Sequence, residues 1–310
     1  MTKRLFIFAG YDENGVIDEI TLHYLNSLSK LGDIVFVMDN DAAPSELQKV
    51  RKVPNVLYAA AMRHGEYDFG SYKRGFLYAR DKKLLNKYDW VYFVNDSVYG
   101  PLFDLAPALT DLESRGVDLT GMIDFENMPT PVQVQSWFVG VSRAVATQEF
   151  LADFFKKVAH QTDKQLIVLK YEVGLSRTIL QHGYKMSTLV SGDIGEKCHS
   201  MYEKPIENLK RGIPFIKKTG LCNLMGLQYL YPYTTEEVVE YIYKNATRNK
   251  IPFVKANVRE YRKVFRLSVF AIPILTIWRQ TQQNARLVSY KGYIFDHLPI
   301  FKVAIRTGEK

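Results

Sequence analysis

The sequence predicts an α/β protein whose mostly parallel sheet is flanked by helices, and three observations carry that prediction. Short continuous apolar runs, Leu5–Ala9, Ile34–Asp39 and Trp90–Val94, have the length and composition of strands covered on both faces. Segments with helical apolar spacing lie between them. Two of the runs stop at polar groups, Asp39 and Asn95-Asp96, and the carboxyl edge of such a sheet is where ligands collect.

The elements follow in order. Leu5–Ala9 is the first strand. In Ile17–Leu31 the residues Ile17, Ile20, Leu22, Tyr24, Leu25, Leu28 and Leu31 form a helical face. Ile34–Asp39 is the second strand, and Ser45–Arg51 a short helix with Ser45 as its N-cap. Val56–Ala60 is the third strand. A polar, glycine-punctuated loop, Arg63 to Gly70, leads into a helix over Gly70–Asn86 that carries Tyr72, Phe76, Leu77, Leu84 and Leu85. Trp90–Val94 is the fourth strand, so the order βαβαβαβ implies a sheet wound with helices.

Further along, Leu105–Ser114 reads as a helix, Leu119–Ile123 as a strand and Gln135–Ser142 as an alternating strand. Helices over Ala144–Ala159 and Glu172–His182 and a strand at Lys185–Leu189 follow. Pro129 and Pro131 mark a loop, because prolines so close oppose both helix and ladder. The domain boundary is expected near Tyr231, giving a catalytic-type domain over 1–231 and a helical, basic region over 232–310. There Thr234–Asn245 reads as a helix opened by Thr234 or Thr235, with Glu236 and Glu237 in its first turn.

With 310 residues, 47% hydrophobic and 13% aromatic, the chain can bury a large core and is not a disordered one. Cys198 and Cys222 form no CxxC pair, which suggests a reducing compartment. The opening apolar run is too short for a secretory leader, and no segment reaches the roughly 18–20 apolar residues that span a bilayer. A cytoplasmic protein is expected.

The net charge of +8 is unevenly distributed. Residues 248–310 hold 13 Lys/Arg and 3 Asp/Glu, a local excess of +10, and the remainder is close to neutral. Within this tail the apolar run Leu267–Trp278, interrupted by Pro273, is flanked by Arg259, Arg262, Lys263, Arg266 and Arg279. That pattern suits a segment lying in the headgroup layer of an anionic membrane. A buried helix with a solvated basic face is the second reading. No nucleic-acid motif accompanies the charge, so nucleic acid is not an expected partner.

Several polar side chains are placed by this reading at the ligand edge. Asp39 ends the second strand and Asp68 lies before the helix at Gly70. Each carboxylate suits a ligand hydroxyl, and each equally suits a cap, Asp39 for a turn and Asp68 for the helix. Arg63, Lys73, Arg74 and Arg177 can pair with phosphates, or can be solvated surface charges. Glu172 opens a helix, where a carboxylate complements the helix dipole.

Four stretches resemble the rhamnan-synthesis F family of bacterial polysaccharide assembly: Gly65-Glu66-Tyr67-Asp68-Phe69-Gly70-Ser71-Tyr72-Lys73-Arg74-Gly75, Asn95-Asp96-Ser97-Val98-Tyr99-Gly100-Pro101, Gln135-Ser136-Trp137-Phe138 and Leu5-Phe6-Ile7-Phe8-Ala9-Gly10-Tyr11-Asp12. The resemblance covers roughly residues 3–220. It implies a GT-A-like glycosyltransferase, Rossmann-like in its sheet, that moves rhamnose or another hexose from a dTDP- or UDP-linked donor. The acceptor implied is a lipid-linked glycan of O-antigen or another cell-surface polysaccharide, met on the inner face of the cytoplasmic membrane.

The resemblance also implies roles. Asp39 and Asp68, with Lys73, Arg74 and Asn95, would bind the nucleotide. Asp96, at the place where GT-A enzymes carry Asp-x-Asp, would hold Mn²⁺ or Mg²⁺ with help from His199; Asn95 and Ser97 stand where a second aspartate belongs. Glu172 matches the carboxylate that deprotonates the acceptor in inverting relatives. Gln135–Phe138 would face the acceptor. A non-catalytic, membrane-associated scaffold of an assembly complex is the alternative.

Overall fold

The computed structural model describes residues 2–125, 132–191, 201, 204–218, 238, 241, 242 and 244. The chain divides into two compact units, one of residues 1–201 and 205–216, the other of 202–204 and 217–310. The basic tail and the run Leu267–Trp278 lie outside the described residues. Within Thr234–Asn245 the four described residues are helical.

The first unit is wound on an eight-stranded sheet. Its strands are β1 (Arg4–Gly10), β2 (Asp33–Met38), β3 (Val56–Ala61), β4 (Trp90–Asn95), β6 (Leu119–Phe125), β7 (Gln133–Val134), β8 (Phe138–Ser142) and β9 (Met186–Val190), with a short β5 (Val98–Tyr99) outside it. The order is β3-β2-β1-β4-β8-β6-β7, with β9 also paired to β6. Strands β1 to β4 are mutually parallel where they pair, and β9 is parallel to β6. Strand β8 runs antiparallel to both β4 and β6, so β6 points the same way as β4. This mixed, mostly parallel, helix-flanked sheet is the GT-A-like architecture expected.

The helices are α1 (Glu19–Leu28), α2 (Pro44–Arg51), α3 (Tyr67–Asp81), α4 (Ala106–Ser114), α5 (Arg143–Ala146), α6 (Glu149–Lys156), α7 (Lys164–Ile167), α8 (Val173–Gln181) and α9 (Pro205–Lys210). Alternation in the strands divides the core into two layers. Leu5, Ile7 and Ala9 of β1 face α3 and α6, where Phe76, Phe93 and Phe155 pack with centroids 4.8–6.1 Å apart. Phe6 and Phe8 face the other way, and Phe8 meets Tyr24 of α1 edge-on at 5.3 Å. Such ring pairs contribute about 0.5–1.5 kcal/mol each beyond their buried area.

Five local differences from the sequence reading have physical reasons. Helix α2 starts at Pro44, with Ala43 and not Ser45 in the cap position, since proline suits the first helical turn. Helix α3 starts at Tyr67 and not Gly70, because Gly65 (φ 66°) and Tyr67 (φ 57°) turn the chain earlier; it ends before Lys83 (φ 55°). The expected helix over Ala144–Ala159 is two, broken where Gln148 becomes extended (φ −78°, ψ 144°). Gln135–Ser142 is not one strand: a turn over Gln135–Trp137 separates β7 from β8, closed by the Phe138 N–H on the Gln135 carbonyl at 3.4 Å. Glu172 does not open a regular helix. It ends a π-helical turn, Val168–Glu172, that feeds into α8.

Candidate functional site

Because β1, β2, β4 and β6 point one way, their carboxyl ends share one edge. Strand order diverges between β1 and β4, one leading to β2 and the other to β8, and it is in the crevice at such a switch point that open α/β sheets bind their ligands. The reversed strand β8 starts at this same edge and brings Ser136 and Trp137 to it.

Asp96, just past β4, bridges the crevice: its Oδ2 accepts the N–H of Tyr11, just past β1, at 2.8 Å. Asn95 is buried, and its amide is fixed at both ends. Its Nδ2 donates to Asp68 Oδ2 at 2.8 Å, and its Oδ1 accepts the N–H (3.1 Å) and hydroxyl (2.6 Å) of Ser97. Asp68 therefore does not N-cap a helix at Gly70. It sits in the first turn of α3 and faces Asn95.

Asp39 closes the end of β2 onto the loop after β3. Its Oδ1 accepts the N–H groups of His64 and Gly65, each at 2.9 Å. His64 in turn accepts the Glu66 N–H at Nδ1 (3.1 Å), which leaves Nε2 to donate to Ser71 Oγ at 3.0 Å. That arrangement needs a neutral ring. Burial, then the charge of Arg74, pushes its pKa down to about 4, so the 3.4 Å approach to Asp39 is not an ion pair at neutral pH. Gly70 makes the packing possible, since a Cβ there would lie 2.4 Å from Glu66 Cβ and 2.6 Å from His64 Nδ1.

Lys73 and Arg74 are turned to the same loop. Arg74 Nη1 donates to Glu66 at 2.6 Å and to the Gly70 carbonyl at 2.9 Å; Lys73 Nζ reaches Glu66 at 3.4 Å and the Val158 carbonyl at 2.7 Å. Burial opposes ionisation of Glu66, yet Arg74 and Lys73 outweigh it and hold its pKa below the ordinary value. Their visible partner is thus Glu66.

Glu172 joins the group through two intermediaries. Ser136 Oγ donates to Glu172 Oε2 at 3.0 Å, and the Ser136 N–H reaches Oε1 at 3.4 Å. The Ser136 carbonyl accepts the hydroxyl of Tyr72 at 2.9 Å. Burial foremost, with the charges of Asp68 and Asp96 adding, raises the Tyr72 pKa well above ordinary, so this phenol keeps its proton. Asp68, Asp96 and Glu172 are half-buried, neither sealed in the core nor scattered on the surface.

One side chain at the rim, Tyr11, has no role in the sequence reading. Tyr11 is 50% exposed, and the Arg63 guanidinium lies 5.7 Å from its ring centroid. Arg63, expected either at a phosphate or as a solvated surface charge, is tied down by Nη1 on the Asp39 carbonyl at 3.3 Å. The position of Tyr11, directly after the first strand, was the available signal. In the stretch expected to face the acceptor, Trp137 Nε1 donates to Gln135 Oε1 at 3.0 Å, and the buried Gln135 Nε2 has no hydrogen-bond partner among the described residues.

Among the described residues no three His, Cys, Asp or Glu side chains converge to hold a metal ion. His199 lies outside the described residues. No helix among them is long and apolar enough to cross a membrane.

The chain is similar to solved structures only distantly. A protein assigned as a nucleotide-diphospho-sugar transferase from Desulfovibrio desulfuricans G20 is 14% identical, with TM-score 0.36, over 62% of this chain and 81% of that one. Core-mannan synthase A from Aspergillus fumigatus, in a Mn/GDP form, is 8% identical, with TM-score 0.29, over 50% and 63%. TarS of S. aureus is 13% identical, with TM-score 0.38, and the match takes in 96% of this chain but about half (49%) of TarS. No curated protein matches. The family model described as rhamnan synthesis protein F, in contrast, aligns with residues 34–296, from β2 through most of the basic tail. The chain belongs to the rhamnan synthesis protein F family.

Proposed function

We propose that the protein is a glycosyltransferase that moves a hexose from a nucleotide-sugar to a glycan acceptor with inversion. The observation that carries this reading is the linkage of Asp96, Asn95, Asp68, Tyr72, Ser136 and Glu172 around one crevice at the carboxyl edge of the sheet. Membership of a rhamnan-synthesis family supports rhamnose, from a dTDP-linked donor, as the first sugar to test.

In this reading the nucleoside lies over the ends of β1 and β2, with the Tyr11 ring and the loop held by Asp39 beneath it. Asp68 and Asn95 fix the crevice wall. Lys73 and Arg74 support the nucleotide loop through Glu66. Glu172 takes the proton of the acceptor hydroxyl as its oxygen attacks the anomeric carbon. The bond from that carbon to the diphosphate breaks, and the nucleoside diphosphate leaves with the electron pair.

Mg²⁺ or Mn²⁺, when bound, neutralises the charge that develops on the diphosphate. Asp96 fits one corner of such an oxygen shell, with diphosphate oxygens and water as natural companions.

The basic region over 248–310 is assigned to the anionic membrane face that presents a lipid-linked acceptor; the clustered charge and the run Leu267–Trp278 support this. Flotation with anionic liposomes tests that part, and a full chain that stays at the bottom of the gradient removes it.

A thermal-shift screen of nucleotide-sugars, with and without Mn²⁺, identifies the donor, because a ligand raises the midpoint according to its affinity. Turnover of that donor is then expected to disappear in Asp96→Ala and Glu172→Gln. Undiminished turnover in both variants overturns the site. Binding without turnover in the wild type points to the scaffold role.

A further inference from the structure

We infer that Ser136 is a positioning residue for Glu172, holding its carboxylate in one orientation toward the crevice; this rests on the reading of Glu172 as the base. Both carboxylate oxygens are engaged by the same residue, Oε2 by the Ser136 hydroxyl at 3.0 Å and Oε1 by its backbone N–H at 3.4 Å. A single contact leaves a glutamate free to rotate about its last torsion. Two contacts on one side fix the plane of the group.

Ser136 is itself held from behind. Its carbonyl accepts the hydroxyl of Tyr72, a ring on α3 that is fully buried against Phe69 and Phe93. The clamp is therefore anchored to the same helix that carries Asp68.

The backbone supplies an independent observation. Glu172 ends the π-helical turn Val168–Glu172, and such a turn places side chains off the regular helical register. Other titratable groups of that turn face elsewhere: Lys170 donates to Gln161 at 2.8 Å, and the Tyr171 hydroxyl donates to the Ala159 carbonyl at 3.0 Å. A widened turn that aims one carboxylate, and a serine that receives it on both oxygens, together form an aiming device for a proton acceptor. A plain structural staple between the β7–β8 turn and α8 needs the contact but not the orientation.

Hydrogen bonds that favour a carboxylate's charged form lower its pKa, so their loss raises it. The test uses the full chain labelled with ¹³C at the glutamate carboxyl carbon, with the Glu172 resonance assigned from its absence in Glu172→Gln. In Ser136→Ala the midpoint of that resonance is expected to move to higher pH, and Ser136→Thr, which keeps the hydroxyl, is expected to restore it. Turnover of dTDP-rhamnose, as the probe donor, is expected to fall at least tenfold in kcat in Ser136→Ala, with KM for the donor within about twofold, and to recover in Ser136→Thr.

An unmoved midpoint in a folded Ser136→Ala overturns the inference and leaves Glu172 as the base if Glu172→Gln is inactive. A moved midpoint with full turnover in Glu172→Gln overturns the base reading, and the positioning role with it.

Discussion

Asn95 and Asp68 meet through a 2.8 Å hydrogen bond, amide to carboxylate, in a place where the asparagine is buried and its other end is already bound to Ser97. The pair couples the end of β4 to the first turn of α3. It also gives position 95 a physical reason to carry an amide, because a carboxylate here would face Asp68.

Asn95→Asp is accordingly expected to destabilise the fold by about 2–4 kcal/mol at pH 7, through a lost hydrogen bond and like-charge repulsion. The loss is expected to shrink as the pH falls and the two carboxylates share a proton. Urea unfolding at pH 7 and pH 5 measures both.

His64 gives stability its own pH dependence. Its folded pKa of about 4 lies below the ordinary 6.5, so the unfolded chain holds the proton more tightly. Stability from this residue is complete above pH 6.5 and is lost as the pH falls toward about 4, by roughly 2–3 kcal/mol in total. In His64→Gln the slope of unfolding free energy against pH is expected to flatten across that window.

Asp39 separates two roles by two substitutions. Asp39→Asn keeps an oxygen for the His64 and Gly65 N–H groups, so stability is expected to change by less than about 1 kcal/mol. Asp39→Ala strands both donors and is expected to cost about 2–4 kcal/mol. If the charge also serves the nucleoside, Asp39→Asn weakens nucleotide binding about tenfold or more at nearly unchanged stability, which calorimetric titration measures.

Gly75 lets α3 lie close on the sheet. A Cβ at this position would come within 2.5 Å of Ile7 Cγ2 and 3.2 Å of Val35 Cγ1. Overpacking of this kind costs about 1–3 kcal/mol, and the better helix propensity of alanine returns up to about 1 kcal/mol. Gly75→Ala is expected to lower stability by about 1–2 kcal/mol net, read from the denaturation midpoint.

The strands were legible because their signal is local: five or six apolar residues in a row, as in Ile34–Met38, mean a strand covered on both faces. The places where the chain changes direction were less so. Gly70 looked like a helix start, but it is a glycine because His64 and Glu66 press against it inside α3. Thr147 and Gln148 carry no breaker, yet the chain turns there.

At the site, Asp39 and Asp96 could be placed at one edge from the strand order alone, since each follows a strand. What each acid holds could not. The clasp of Asp39 on the 64–65 loop spans 25 residues, and the bond from Ser136 to Glu172 spans 36. Contacts across such distances leave no periodicity in the sequence. Lys73 and Arg74 suit a phosphate or a solvated surface by residue type, and Glu66, seven and eight residues before them, is the nearby counter-charge they pair with.

The widened turn before α8 exposes the protein to a particular kind of loss. Removing a single amino acid from 168–170 would restore ordinary helical pitch and swing residue 172 by about 100° about the axis, away from its serine. No strand of the sheet contains a residue of 168–170, so the deletion removes nothing from the sheet itself. Under the proposed function, a descendant of this chain could thus go on recognising a donor while no longer consuming it, one codon away from its parent.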